Sequence, residues 1–235
     1  MNNIIKNLRQ ELIALGNSEI ARTKDRFFKE EVKHYGIMNS ELIKIAKRYF
    51  KQIKDMSKSD IFRVCEELFA SGYMEECIIA CNWSYSIHKQ YEKSDFKIFQ
   101  NWIENYVTNW AVCDTLCNHT VGEFIEMYPE FISELKEWTE SNNRWVRRAS
   151  SVTLIVPAKK GKFLQEIFEI ADKLLTDKDD LVQKGYGWML KSATHTHEQE
   201  VFEYVMKNKS VMPRTALRYA IEKMDKERKI KAMEK

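Results

Sequence analysis

The segment NWAVCDTLCNH, residues 109 to 119, holds the residues best suited to chemistry. Trp110 and Asp114 are four apart, so on a helix they sit one above the other on the same face. Asp114 is flanked by Val112, Cys113, Leu116 and Cys117, and a carboxylate in such surroundings must be paired, capping or catalytic, because burying it bare is costly. An Asp bonded to an Arg of a neighbouring structural repeat satisfies the same demand. In the second half, Arg147, Arg148, Lys184 and Arg214 recur at comparable places, and Trp188 follows Lys184 by four residues and so shares its face. An aromatic plane beside a phosphate-binding cation suits contact with a sugar or a base. Trp145, just ahead of the paired arginines, reads as a wedge between helices.

Other candidates are weaker. Cys77/Cys81 and Cys113/Cys117 are i,i+4 pairs on helices, whereas structural zinc recruits closely spaced pairs through turns, so they read as small buried hydrophobes. With Cys65 the cysteines number five, and no disulfide framework is implied. His195 and His197, in THTHEQE, read as a surface loop. Gly-rich phosphate loops, G-x-S-x-G and H-E-x-x-H are absent from the sequence, which excludes the enzyme classes that depend on them. No metal or cofactor is expected.

The elements that must carry these residues are helical. Among 235 residues there are only 7 Gly and 3 Pro, too few for sandwiches, barrels or propellers, which punctuate themselves with such residues. At 44% hydrophobic and 31% charged, the chain is too apolar for disorder and too mixed for a membrane. Periodicity predicts helices at 5–15, 18–34, 39–54, 58–70, 74–90, 95–107, 110–126, 130–140, 144–156, 161–175, 180–192, 197–208 and 213–230. Gly16, Gly36, Gly72 and Gly161 break them. Ser40, Ser59, Ser94, Asp179 and Ser210 are candidate caps, and Pro129 and Pro213 suit first helical turns.

Three segments look alike: NRWVRRAS (143–150), DLVQKGYGWML (180–190) and VMPRTALRYAI (211–221). Aligning Ala149, Gly185 and Ala216 gives offsets in the thirties, near the period of HEAT-type helical solenoids, and the two cysteine pairs repeat at a similar offset. The expected fold is all-α: a right-handed superhelical solenoid of HEAT-like antiparallel helix pairs, forming a single domain over 1–235 with 225–235 either an ordered helix or a frayed tail. In such a stack the second helices line one face, so Arg147 or Arg148, Lys184 and Arg214 form a stripe. Charge agrees: residues 1–140 carry 18 Lys+Arg against 22 Asp+Glu, net −4, and residues 141–235 carry 20 against 13, net +7. The basic part is either a solvated surface or an attractor for a polyanion such as a phosphate backbone. The first residues put Ile4, Ile5, Leu8, Leu12 and Leu15 on one stripe and have no export signal's apolar core. A cytoplasmic, monomeric protein without a membrane partner is expected.

Taken together, three separated blocks resemble the AlkD family of HEAT-repeat DNA alkylation repair enzymes, glycosylases that remove cationic alkylated purines. The blocks are Trp-x-x-x-Asp (Trp110, Asp114), Asn-x-Trp-x-Arg-Arg-x-Ser (Asn143, Trp145, Arg147, Arg148, Ser150) and Gly-Trp (Gly187, Trp188), followed by the similar segment MPRTALRYAIEKM (212–224). The resemblance implies that Trp110 and Asp114 are an active-site pair, that Trp188 is a second aromatic wall, and that Arg148, in preference to Arg147, holds the DNA backbone. It also implies that Phe27 stands where some members place a Tyr that touches DNA. The implied activity is excision of N3- or N7-alkylpurines from double-stranded DNA without a small-molecule cofactor and without flipping the lesion into a deep pocket. The alternative is a non-catalytic HEAT-repeat protein that binds bent or branched DNA.

Overall fold

The computed structural model describes residues 2–234, and among them every regular element is helical. No described helix is long and apolar enough to cross a membrane. The chain forms two compact units, one up to Leu116 and the other from Cys117.

The first unit contains α1 (Asn2–Leu15), α2 (Ser18–Asp25), α3 (Asn39–Ile53), α4 (Lys58–Ala70), α5 (Met74–Ser86), α6 (Phe96–Tyr106) and α7 (Trp110–Thr115). In α3, the residues Leu42, Ile45, Ala46, Tyr49 and Ile53 fall on one buried face, the spacing of an amphipathic helix. This face packs on α5, which also packs on α4 and α7. The buried Trp83 of α5 donates its indole N–H to the Ala46 carbonyl of α3 at 2.8 Å. Between α4 and α6, Phe62 meets Trp102 edge-on, with ring centroids 5.4 Å apart at 86°.

The helix expected over 18–34 stops at Asp25, and residues 26–38 form a loop. The reason is tertiary. Alpha2 has no buried residue to carry it forward, and the backbone N–H groups of Tyr35, Gly36 and Ile37 donate to the Glu75 carboxylate of α5 instead of continuing a helix. Gly36 has φ +80°, and a Cβ there would lie 2.2 Å from the Asn17 carbonyl oxygen, so only glycine fits.

The second unit contains α8 (Gly122–Met127), α9 (Ile132–Trp138), α10 (Arg144–Val152), α11 (Ile155–Lys159), α12 (Leu164–Lys173), α13 (Asp180–Ala193), α14 (Glu198–Asn208), α15 (Arg214–Ala220) and α16 (Lys226–Met233). Alpha10 packs on α9 and α13, and α13 packs on α12 and α15. The approach of α10, α13 and α15 depends on small residues. A Cβ on Gly185 would stand 2.9 Å from the Ser151 hydroxyl of α10, and one on Gly187 would stand 2.7 Å from the Ala216 carbonyl oxygen of α15. Ala149 and Ala216 are themselves fully buried. The alignment of Ala149, Gly185 and Ala216 therefore marks real helix contacts.

Several expected helices are divided. The run 110–126 passes through a π turn at Leu116–Val121. The run 144–156 ends as α10 at Val152, and 213–230 ends as α15 at Ala220 because Asp225 caps a new helix, accepting from Arg228 N at 2.8 Å. That helix, α16, is docked: Ala232 is buried, and Arg228 reaches Glu198 at 2.6 Å and covers the Phe202 ring of α14. Residues 226–233 thus form a helix packed on α14. Of the expected caps, only Asp179 caps with its side chain, accepting from Leu181 N and Val182 N. Ser40 follows the uncapped start of α3 at Met38, Ser57 replaces Ser59, Ser94 lies inside a 3-10 turn, and Ser210 caps no helix. Asn17, Asn109 and Asn143 do the remaining capping. Pro129 opens a 3-10 turn as expected, whereas Pro213 is the N-cap of α15.

Candidate functional site

In the first unit, α7 presents the Trp110–Asp114 pair. Asn109 starts the helix by accepting from Val112 N at 3.0 Å, which puts Trp110 in the first turn and Asp114 one turn on. Asp114 is 8% exposed, between the buried Val112 and Cys113 and the buried Leu116 and Cys117. An ionised carboxylate in that position is strongly responsive to nearby positive charge, because the field is poorly screened. Trp110 is half-buried and held on two sides. Its indole N–H donates to the Phe27 carbonyl at 3.1 Å, and Phe28 stacks on it with centroids 5.3 Å apart and planes at 23°.

Phe27 itself is 69% exposed. Phe27, with Lys24, Phe28, Met38, Ile78 and Trp110, lines a cavity of about 680 Å³ within this unit. Phe28, which no sequence motif marks, stands against Trp110 of the candidate site. The signal available was the adjacent pair of phenylalanines in an otherwise charged stretch, RFFKEEVKHY.

In the second unit, Asn143 caps α10 by accepting from Trp145 N at 2.9 Å. Trp145 is buried, with the Arg144 guanidinium 5.0 Å from its ring. Arg147 forms an ion pair with Asp177 at 2.7 Å and donates to the Ser141 and Asn142 carbonyls. It ties the start of α10 to the loop before α13. Arg148 is 5% exposed and donates to the Leu181 carbonyl in the first turn of α13. Lys184 is half-buried and lies 3.2 Å from Asp180. Trp188 is half-buried one turn further along α13. Arg214, at the start of α15, is exposed and donates to the Met233 carbonyl at 3.3 Å. Packing of α10 on α13 and of α13 on α15 sets these cations on successive helices. Arg147 and Arg148 of α10 are the more committed to the protein's own groups, and Lys184 and Arg214 are the more open to solvent.

The remaining candidates have structural placements. All five cysteines are buried free thiols. Burial pushes the thiols of Cys65, Cys77 and Cys81 up, that of Cys77 to about 12, which makes them unreactive. His195 and His197 lie at the turn between α13 and α14, with His197 Nε2 3.2 Å from the Gly161 carbonyl oxygen. Among the described residues no group of three or more His, Cys, Asp or Glu could hold a metal ion.

Comparison with known proteins agrees with the all-helical fold. A family model described as DNA alkylation repair enzyme matches residues 8–224. Among solved structures, a chain titled "Predicted DNA alkylation repair enzyme from Enterococcus faecalis" superimposes with a TM-score of 0.80 at 17% sequence identity, covering 90% of this chain and 97% of that chain. At this identity the likeness is one of fold. No curated protein matches the chain.

Proposed function

Because the chain belongs to the DNA alkylation repair enzyme family, we propose that it is a monofunctional DNA glycosylase that releases cationic N3- or N7-alkylated purines from duplex DNA. The observation that carries this reading is the Trp110–Asp114 pair on the first two turns of α7, with the carboxylate almost wholly buried.

Alkylation at N3 or N7 makes the purine a cation. When the C1′–N bond breaks, its electron pair passes to the base, which leaves neutral, so no general acid is required. The sugar is left with oxocarbenium-like positive charge, and water then adds at C1′ and loses a proton. In this reading Asp114 supplies fixed negative charge to that developing cation and orients the water, a preorganised electrostatic effect of about 3–4 kcal/mol. Trp110 offers an aromatic face to the deoxyribose, and Trp188, in the second unit, offers one to the DNA, each contact contributing about 0.5–2 kcal/mol. Arg148, Arg147, Lys184 and Arg214 serve the DNA backbone. Lys184 and Arg214 carry more of the direct phosphate contact, since Arg147 would have to leave Asp177. The chemistry calls for no cofactor, and the protein is proposed to act as a cytoplasmic monomer.

The test is release of free 3-methyladenine or 7-methylguanine from methylated duplex DNA. The proposal expects release by the wild-type protein. Absence of release with salt-dependent binding retained would instead favour a non-catalytic protein for bent or branched DNA.

A further inference from the structure

Glu75 and Glu76 open α5 and are 0% and 1% exposed. Two adjacent buried carboxylates are costly unless every oxygen is matched by donors, and nothing in the excision chemistry uses them. Their partners lie in the loop 26–38. Glu75 Oε2 accepts from Tyr35 N at 3.0 Å, and Oε1 accepts from Gly36 N at 3.1 Å and Ile37 N at 3.2 Å. The Lys24 ammonium, at the end of α2, lies 3.6 Å from Glu75 Oε1 and donates to the Ile37 carbonyl at 2.5 Å. The end of α2 at Lys24 and the far end of the loop at Ile37 are thereby clamped to one carboxylate. Glu76 adds Tyr35 OH at 2.7 Å and Arg9 Nε at 3.0 Å. Apolar burial could not replace this clamp, because from residue 26 to residue 35 no residue is fully buried.

The clamped loop is the one that holds Trp110. Phe27 and Phe28 follow Lys24 by three and four residues, and they supply the carbonyl and the ring that fix the indole. We propose that Glu75 is a positioning residue for Trp110, acting through the loop 26–38, whose base it clamps at Lys24 and at Tyr35 to Ile37. The functional half of this inference rests on Trp110 serving the excision site. An error of about 1 Å in a group that contacts the reacting sugar lowers rate by about 10²-fold, which makes a rigid support for the indole worth two buried carboxylates.

The decisive variant is Glu75→Gln, which keeps the shape but turns one acceptor into an N–H₂ that faces other donors. Solvent exchange of the Trp110 indole N–H is followed by NMR, with the signal identified by its loss in Trp110→Phe. Exchange is expected to accelerate at least about tenfold. Excision at saturating DNA is expected to fall by about tenfold or more, with the Kd for undamaged duplex within about threefold. Ile53→Val, a mild truncation of the buried core of α3, should leave indole exchange and excision unchanged, which separates positioning from general loss of stability. Unchanged indole exchange in Glu75→Gln overturns the proposal, as does faster exchange with undiminished excision. If Glu75→Gln does not fold, Lys24→Met decides by the same exchange measurement, with a smaller acceleration expected and none overturning the proposal. If the wild-type protein releases no base, the glycosylase reading falls, while the exchange measurement still decides whether Glu75 positions Trp110.

Discussion

Gly185 and Gly187 stand two residues apart on α13, yet the structure predicts different outcomes for the same substitution. Gly187→Ala places a Cβ 2.7 Å from the Ala216 carbonyl oxygen, 2.7 Å from Tyr219 Cβ and 3.2 Å from Ala216 Cα. Ordinary carbon contacts are at about 3.5–4.0 Å, so α13 and α15 must separate by the better part of an ångström along a close interface. Replacing a mid-helix glycine by alanine gains about 1 kcal/mol in helix propensity. Overpacking costs about 1–3 kcal/mol, and because two of the three neighbours are backbone atoms that cannot rotate away, the cost here lies in the upper part of that range, about 2–3 kcal/mol. The expected net loss is about 1–2 kcal/mol, or a fall in Tm of about 2–8 °C for a chain of this size. Gly185→Ala meets the Ser151 hydroxyl at 2.9 Å, and its next contacts, at 3.4 Å, are Arg148 Cγ and Val152 Cγ1. That conflict is with one side-chain oxygen, so Gly185→Ala is expected near neutrality, and adding Ser151→Ala should turn it stabilising. Thermal melts of the three variants measure this directly. A Gly187→Ala protein as stable as wild type, or a Gly185→Ala loss that Ser151→Ala does not relieve, would refute the close-packed reading of α10, α13 and α15.

Removing Lys184 and Arg214 together as alanines should weaken binding to any duplex sequence and reduce the slope of log K against log salt by about 1.8 if both neutralise phosphates; a fluorescence titration across salt concentrations reads it, and an unchanged slope removes both from the interface. Glu126 gives a pH prediction. Burial alone would raise its pKa, but the Lys160 and Lys162 ammonium groups at 2.6 and 2.7 Å outweigh burial and hold the carboxyl below its ordinary value. A carboxyl depressed on folding contributes stability that is present above its unfolded pKa of about 4.3 and is lost as pH falls through the lower folded value. Wild type should therefore exceed Glu126→Gln in stability at pH 7, with the gap closing below about pH 4; denaturant melts at both pH values check the sign. Arg147→Ala should destabilise the second unit by leaving Asp177, whose side chain is 10% exposed, without its 2.7 Å ion-pair partner, an effect of about 1–3 kcal/mol visible in a denaturant melt without DNA.

Much of the fold was legible because its rules are local. The stripe Leu42, Ile45, Ala46, Tyr49, Ile53 announces α3, and the spacing of Ala149, Gly185 and Ala216 announces helices that touch. The misreadings share a different cause. Helix-forming residues from 26 to 34 became a loop because a carboxylate some forty residues away takes the N–H groups of Tyr35, Gly36 and Ile37. The stacking of Phe28 on Trp110 was not legible, because it is a contact across more than eighty residues of chain. The basic stripe was visible as composition, but the partners Asp177 and Leu181 that engage Arg147 and Arg148 lie on the next helix pair. Asp114 was legible as a carboxylate set among apolar neighbours, and the structure leaves it 8% exposed.

The central claim is that the Asp114 carboxylate speeds base release by stabilising charge on the sugar. Single-turnover release of methylated purine from duplex DNA, wild type against Asp114→Asn, tests it most directly. The account predicts a fall of about 10²–10³-fold with duplex affinity largely kept. Equal rates for the two proteins would contradict it.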